Sequence, residues 1–314
     1  MINPSNQSSR FNTPSSSLAS DRNQPWLGAA WKIASFACGA LLNGIARYLS
    51  GGGDSTLSAA ALPVYEIVFF QDLIALLILL PLYFKSFEFK QFTHLPVHFF
   101  RGLTSAAAVI TWYFALFYLP LADAVAISVV GPVMGVILAR WFLKEKLKLL
   151  RIILISSSVL SAVFVMQTLD ALKGNSTNLI GLLFVFISAL CFALAKVSTR
   201  YLAEKGCNAR FLTLSLLLFI VPVSVVPAII HWVPLELYHL PWLILAGGLT
   251  VLAIACVSKA LIYSEVSFLA PFDICRFVLN AAVGYYAFTE LPTISAMILA
   301  SIFLVFVSWK VRTG

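Results

Sequence analysis

Gly28–Leu49 reads GAAWKIASFACGALLNGIARYL, and Gly181–Leu202 reads GLLFVFISALCFALAKVSTRYL. Aligned without a gap, the two agree at Gly28/Gly181, Ser35/Ser188, Cys38/Cys191, Ala40/Ala193, Leu41/Leu194, Arg47/Arg200, Tyr48/Tyr201 and Leu49/Leu202, eight of 22 positions. Crossing a hydrocarbon layer about 30 Å thick takes roughly 20 mainly apolar helical residues, so each copy is long enough to span. A membrane unit present twice in one chain is the construction of many secondary transporters.

Composition agrees with a membrane setting. Hydrophobic residues make up 61% of the 314 positions, charged residues 11%, and mean hydropathy is +0.94. Soluble domains carry about 25% charge. The formal net charge of +8 resides in short stretches between apolar runs and forms no basic block or aromatic-spaced patch, which argues against nucleic acid as a partner. Cys38, Cys191, Cys207, Cys256 and Cys275 lie mostly within apolar runs and without CxxC spacing. Neither a disulfide framework nor a metal site is expected from that pattern, and no motif calls for a cofactor. Residues 1–26 are rich in Ser, Asn and Pro, lack the apolar core of a cleavable signal, and read as a disordered cytoplasmic tail.

Ten apolar runs follow, at about 27–49, 62–84, 99–119, 121–142, 150–168, 178–202, 209–231, 239–261, 266–288 and 291–309. The expected fold is an all-α polytopic membrane protein of ten transmembrane helices. Residues 27–168 form one five-helix repeat, 178–309 a second, and 310–314 a short cytoplasmic tail. With the N-terminus inside, the cytoplasmic segments hold Lys85, Lys90, Arg101, Arg140, Lys144, Lys146, Lys148, Arg151, Arg200, Lys205, Arg210, Lys259, Lys310 and Arg312, whereas the opposite segments hold little beyond Arg47 and Lys173. That asymmetry places both termini in the cytoplasm. Trp26, Trp141, Trp232, Trp242 and Trp309 fall near span ends, where an aromatic belt belongs. Five helices per repeat force the two copies to enter from opposite faces, so the repeats are inverted. The endings FLKE at Glu145 and AFTE at Glu290 fall on opposite sides accordingly.

Charges inside a span cost roughly 2.5–3.5 kcal/mol each on insertion scales, so each requires a reason. Asp273, Arg276 and Asn280 follow i, i+3, i+7 spacing and form one stripe in the ninth span. They are candidates for binding a solute, and a structural Asp273–Arg276 bridge is the alternative. Asp72 and Glu66 in the second span are candidate proton-coupling groups, with a fixed hydrogen bond to a neighbouring helix as the competing role for Asp72. Lys196 aligns with Asn43 in the repeat. That pair either lines a central cavity from the two halves, or Lys196 snorkels to the interface. Trp112 and Tyr113, beside Thr111, form either an aromatic wall for a cationic or planar ligand or ordinary packing. Arg101, Arg140, Arg200 and Lys259 sit close enough to cytoplasmic ends to snorkel. Gly131, Gly135 and Ala139 repeat every four residues, a small-residue face suited to close packing or to a homodimer contact. Pro132 and Pro271 interrupt their helices and free backbone carbonyls.

The stretches YEIVFFQDLIALLILLP (65–81), RGLTSAAAVITWYFALFYLPLADA (101–124), VVGPVMGVILARWFLKE (129–145) and LAPFDICRFVLNAAVGYYAFTELP (269–292) resemble the drug/metabolite transporter superfamily, and within it the EamA family. That resemblance covers about residues 27–309 and implies a ten-helix carrier of two inverted EamA-type repeats. The RGL, TWYFAL and APF…ELP segments look most like the branch of S-adenosylmethionine carriers of intracellular bacteria. This chain departs from the branch at Phe69-Phe70-Gln71-Asp72, where an Arg usually follows the two aromatics, and at Asp273 and Arg276, whose charge order is reversed.

The expectation is a non-enzymatic carrier in a bacterial inner membrane, moving a small polar or amphipathic metabolite, S-adenosylmethionine-like or amino-acid-like, by alternating access. Its partners are that solute and the bilayer. A membrane-embedded enzyme would need a catalytic constellation, and the nearest pattern, His94 and His98 at i, i+4, has Pro96 between them breaking the helix. A structural or partner-binding membrane protein would have no use for a polar stripe at mid-membrane.

Overall fold

The computed structural model describes residues 25–51, 61–83, 94–128, 131, 134, 138, 176–205, 207, 209–263, 272 and 274–290. The ordered elements among them are all helices: α1 Pro25–Leu49, α2 Val64–Tyr83, α3 Leu95–Tyr118, α4 Leu121–Ile127, α5 Ser176–Glu204, α6 Ala209–Ile230, α7 His239–Tyr263 and α8 Ile274–Phe288. In lipid only a helix or a closed barrel satisfies every backbone polar group, and unbroken apolar runs of this length select the helix. Six of the eight contain stretches long and apolar enough to cross a membrane: Trp26–Leu49, Val64–Pro81, Leu95–Tyr118, Leu179–Thr199, Phe211–Ile230 and His239–Val257. This is a multi-pass membrane protein. Helices α4 and α8 lie within the expected fourth and ninth spans, and Gly131, Met134 and Leu138 are helical as well. Expected spans 150–168 and 291–309 lie outside the described residues, as do residues 1–24 of the tail, Pro132, Pro271, Gly135 and Ala139.

The boundary between the third and fourth spans has a local cause. Pro120 pushes the residue before it out of the helical region, and Leu119 is extended at φ −118° and ψ 148°. Helix α3 therefore stops at Tyr118 and α4 restarts at Leu121. At the other end of α3, Pro96 does not break the helix as the sequence suggested. It occupies the first turn, where a missing N–H costs no intrahelical bond.

Packing relates the two halves. Helix α1 packs on α7 and α8, α3 on α5 and α6, and α2 on α6 and α7. Exchanging α1 for α5, α2 for α6, α3 for α7 and α4 for α8 maps α1–α7 onto α5–α3, α2–α7 onto α6–α3, and α1–α8 onto α5–α4, while α2–α6 and α4–α8 map onto themselves. The correspondence reaches individual atoms. A Cβ added to Gly102 in α3 would lie 2.4 Å from Phe219 in α6, and one added to Gly247 in α7 would lie 2.4 Å from Ile74 in α2. Both the glycines and their partners are 145 residues apart, so one close contact is built twice. Ile67, Val68, Leu116, Leu119, Leu121, Leu182, Val185 and Leu243 join in a single buried cluster drawn from both halves.

Candidate functional site

A polar constellation that bridges the halves centres on Asn43 in α1. Asn43 is 8% exposed, and its Nδ2 donates to Asn280 Oδ1 in α8 at 2.8 Å. Trp112 Nε1 in α3 donates to Asn43 Oδ1 at 3.0 Å, and Asn280 Nδ2 donates to the Arg276 carbonyl at 2.7 Å. The Arg276 guanidinium lies over the Trp112 indole, 5.6 Å from the ring centroid. Asn280 is fully buried and Trp112 is 6% exposed. Helical periodicity explains the meeting: Arg276 and Asn280 are four residues apart on one face of α8, and Gly44 lets α1 approach α8, where an added Cβ would lie 2.7 Å from Val283.

A second chain of hydrogen bonds runs on the next face of α3. Tyr113 Oη donates to Gln71 Oε1 at 2.6 Å, and Gln71 Nε2 donates to Asp72 Oδ1 at 3.4 Å. Asp72 is 4% exposed, and its Oδ2 has no hydrogen-bond partner among the described residues. Glu66, also buried, accepts the backbone N–H of Val233 through Oε1 at 2.6 Å, tying the start of α2 to the segment between α6 and α7.

Four of the sequence candidates, Asn43, Trp112, Arg276 and Asn280, thus come together, and Tyr113 joins Asp72 through Gln71, which sequence marks as a departure from the branch's Arg but not as a site residue. Lys196 and its repeat counterpart differ in burial. Lys196 is exposed on α5, whereas its repeat counterpart Asn43 is buried. Its long apolar stem lets the ammonium reach an interface, which the short Asn side chain cannot do. Asp273 lies outside the described residues. Arg101 is a further correction. Instead of snorkelling it is 1% exposed, with Nη2 donating to the Leu212 carbonyl at 2.7 Å and to Ser215 Oγ at 2.7 Å. Ser215 Oγ also lies 3.2 Å from His98 Nδ1, so His98 serves a contact between α3 and α6. Of the small-residue face, Gly131 is described, and a Cβ there would meet Ala189 of α5 at 3.9 Å.

Apolar spanning helices and a polar centre shared by two halves define the class: a polytopic carrier-type membrane protein. Residues 32–167 match the EamA-like transporter family. The chain is 27% identical over 241 residues to a riboflavin transporter of Brucella anthropi, covering 74% of this chain and 83% of that protein. It is 24% identical over 275 residues to an S-adenosylmethionine uptake transporter of Rickettsia bellii, covering 86% and 88%. A solved crystal structure of a protein has the same fold, with a TM-score of 0.61 at 14% identity over 92% of this chain and 95% of its own.

Proposed function

We propose that this protein is a secondary active transporter that moves a small amphipathic metabolite across a bacterial inner membrane by alternating access. Its two five-helix repeats are inverted, and both termini are cytoplasmic. The observation that carries the reading is the Asn43–Asn280 hydrogen bond, which joins the halves within a buried polar cluster, and polar side chains inside spanning helices are costly and mark solute paths. Rocking of one half on the other makes and breaks such a contact, and a solute bound between them is exposed to each side in turn.

The side chains favour a planar solute rich in acceptors. Arg276 already rests on the Trp112 indole, and a conjugated ring can take that face while its oxygens or nitrogens accept from the guanidinium and the Asn43 and Asn280 amides. Riboflavin and S-adenosylmethionine, the cargoes in the relatives' names, share a fused nitrogen heterocycle with a polar chain. Such an amphipathic shape matches this site better than a simple amino acid does. Asp72, with one carboxylate oxygen unsatisfied and Gln71 and Tyr113 leading toward α3, is the proton-coupling group. Glu66, held by the Val233 N–H, positions the segment between α6 and α7.

Purified protein in proteoliposomes tests this with labelled riboflavin, S-adenosylmethionine and amino acids, with and without preloaded solute. At least one heteroaromatic solute should accumulate in a protein-dependent, saturable manner. If none does, the carrier reading fails.

A further inference from the structure

Loop charge groups Arg47 with a sparsely charged segment, yet it lies in the last turn of α1 and is 4% exposed. Its Nη1 donates to the carbonyls of Leu116 and Leu119, and its Nη2 forms an ion pair with Glu290 Oε1. The other carboxylate oxygen of Glu290 accepts the Leu121 N–H at 3.4 Å. Helices end with unsatisfied carbonyls and begin with unsatisfied N–H groups. This one pair therefore serves both sides of the break at Pro120 while joining the end of α1 to the end of α8. Thr289, at φ 54°, turns the chain so that Glu290 N–H returns to the Gly284 carbonyl at 3.1 Å.

A buried ion pair is weak evidence for stability, because well-packed apolar residues often do as well. Its position is more telling. It ties ends from both halves together at one end of the bundle. The repeat places the same two residue types at the counterpart positions in sequence, Arg200 aligned with Arg47 and Glu145 ending FLKE where Glu290 ends AFTE. Glu145 and the Arg200 side chain lie outside the described residues and enter by sequence alone.

We propose that the Arg47–Glu290 pair is a separable latch that closes this end of the bundle in the present conformation and opens during the transport cycle. The inference rests on the carrier reading above, and loop charge makes this the external end. Charged groups suit such a device, since water stabilises them once separated while an apolar contact has no comparable open state.

Ser50 reports on the latch. It is 6% exposed, and its Oγ donates to the Arg47 carbonyl at 3.1 Å. In the full chain in lipid, Ser50→Cys is labelled with a membrane-impermeant maleimide and modification at that position is read by peptide mass. Labelling should proceed under native conditions, well below the denaturant concentration that unfolds the protein. Adding Arg47→Gln with Glu290→Gln should speed it by about tenfold, the factor produced by losing 1.4 kcal/mol of closing free energy, with the unfolding midpoint little changed. A permanent clamp gives the contrary result: labelling of Ser50→Cys only in step with global unfolding, which overturns the proposal even if the double variant fails to fold. Absence of transport in the solute panel would defeat the carrier reading while leaving the labelling comparison to decide the latch.

Discussion

Replacing Asn43 by Leu keeps side-chain size close to native and removes the hub of the central network. Two buried groups then lose their partners, Trp112 Nε1–H and Asn280 Oδ1. An orphaned buried polar group costs about 1–3 kcal/mol in a soluble interior, which would give about 2–6 kcal/mol here. Interhelical hydrogen bonds in membranes average only about 0.6 kcal/mol and reach about 1.7, because the inserted but unassembled helices also find partners. The membrane values govern, so Asn43→Leu should destabilise by about 1–3 kcal/mol. Asn280→Leu alone should have a similar effect, and the double change should cost less than the sum by about 0.5–1.5 kcal/mol, since the two residues share one bond. Unfolding in mixed micelles by detergent titration provides all four corners of the cycle. Additive effects, or an Asn43→Leu variant as stable as the parent, would show that the two amides are not coupled and that the network is incidental.

Asp72→Asn should leave the fold intact and make uptake insensitive to an imposed proton gradient, checked by comparing proteoliposomes with and without a pH step; uptake that still follows the gradient would remove Asp72 from coupling. Lys196→Met should retain transport and expression within about twofold, because an exposed ammonium contributes little; loss of transport at normal expression would restore Lys196 to the solute path. Gly102→Ala and Gly247→Ala should each destabilise by about 1–3 kcal/mol through overpacking against Phe219 and Ile74. Thermal unfolding should show similar losses for the two, and a large inequality would argue against their equivalence across the repeat.

Helix placement was legible because membrane spans announce themselves through length and apolarity. Expected runs 27–49, 62–84, 99–119, 178–202, 209–231 and 239–261 correspond to α1, α2, α3, α5, α6 and α7 within a few residues. Asn43, Arg276 and Asn280 were also visible, as polar residues at helical spacing in apolar surroundings. What sequence could not supply was which face of each helix turns inward. Periodicity is weak when nearly every residue is apolar, so Lys196 and Asn43 were treated alike although one is exposed and the other buried. Charges near span ends were harder still. Arg101 looks like a snorkelling residue and Arg47 like a loop charge until the structure shows backbone carbonyls bound by them at Leu116, Leu119 and Leu212. Those acceptors exist only because Pro120 ends a helix and because α3 touches α6, which no local pattern of charge reveals.

Counterflow in proteoliposomes most directly tests the claim that a solute passes between the two halves at the Asn43–Trp112–Arg276–Asn280 cluster. Vesicles preloaded with unlabelled heteroaromatic solute should transiently accumulate the labelled solute from outside above equilibrium. Arg276→Gln, folded and inserted to the same extent, should lose at least about tenfold in apparent affinity, as expected when a charge-assisted hydrogen bond worth about 1.5–3 kcal/mol is removed. Counterflow that persists in the Arg276→Gln protein with unchanged affinity would contradict the account, because the solute would then be crossing by a route that does not touch this site.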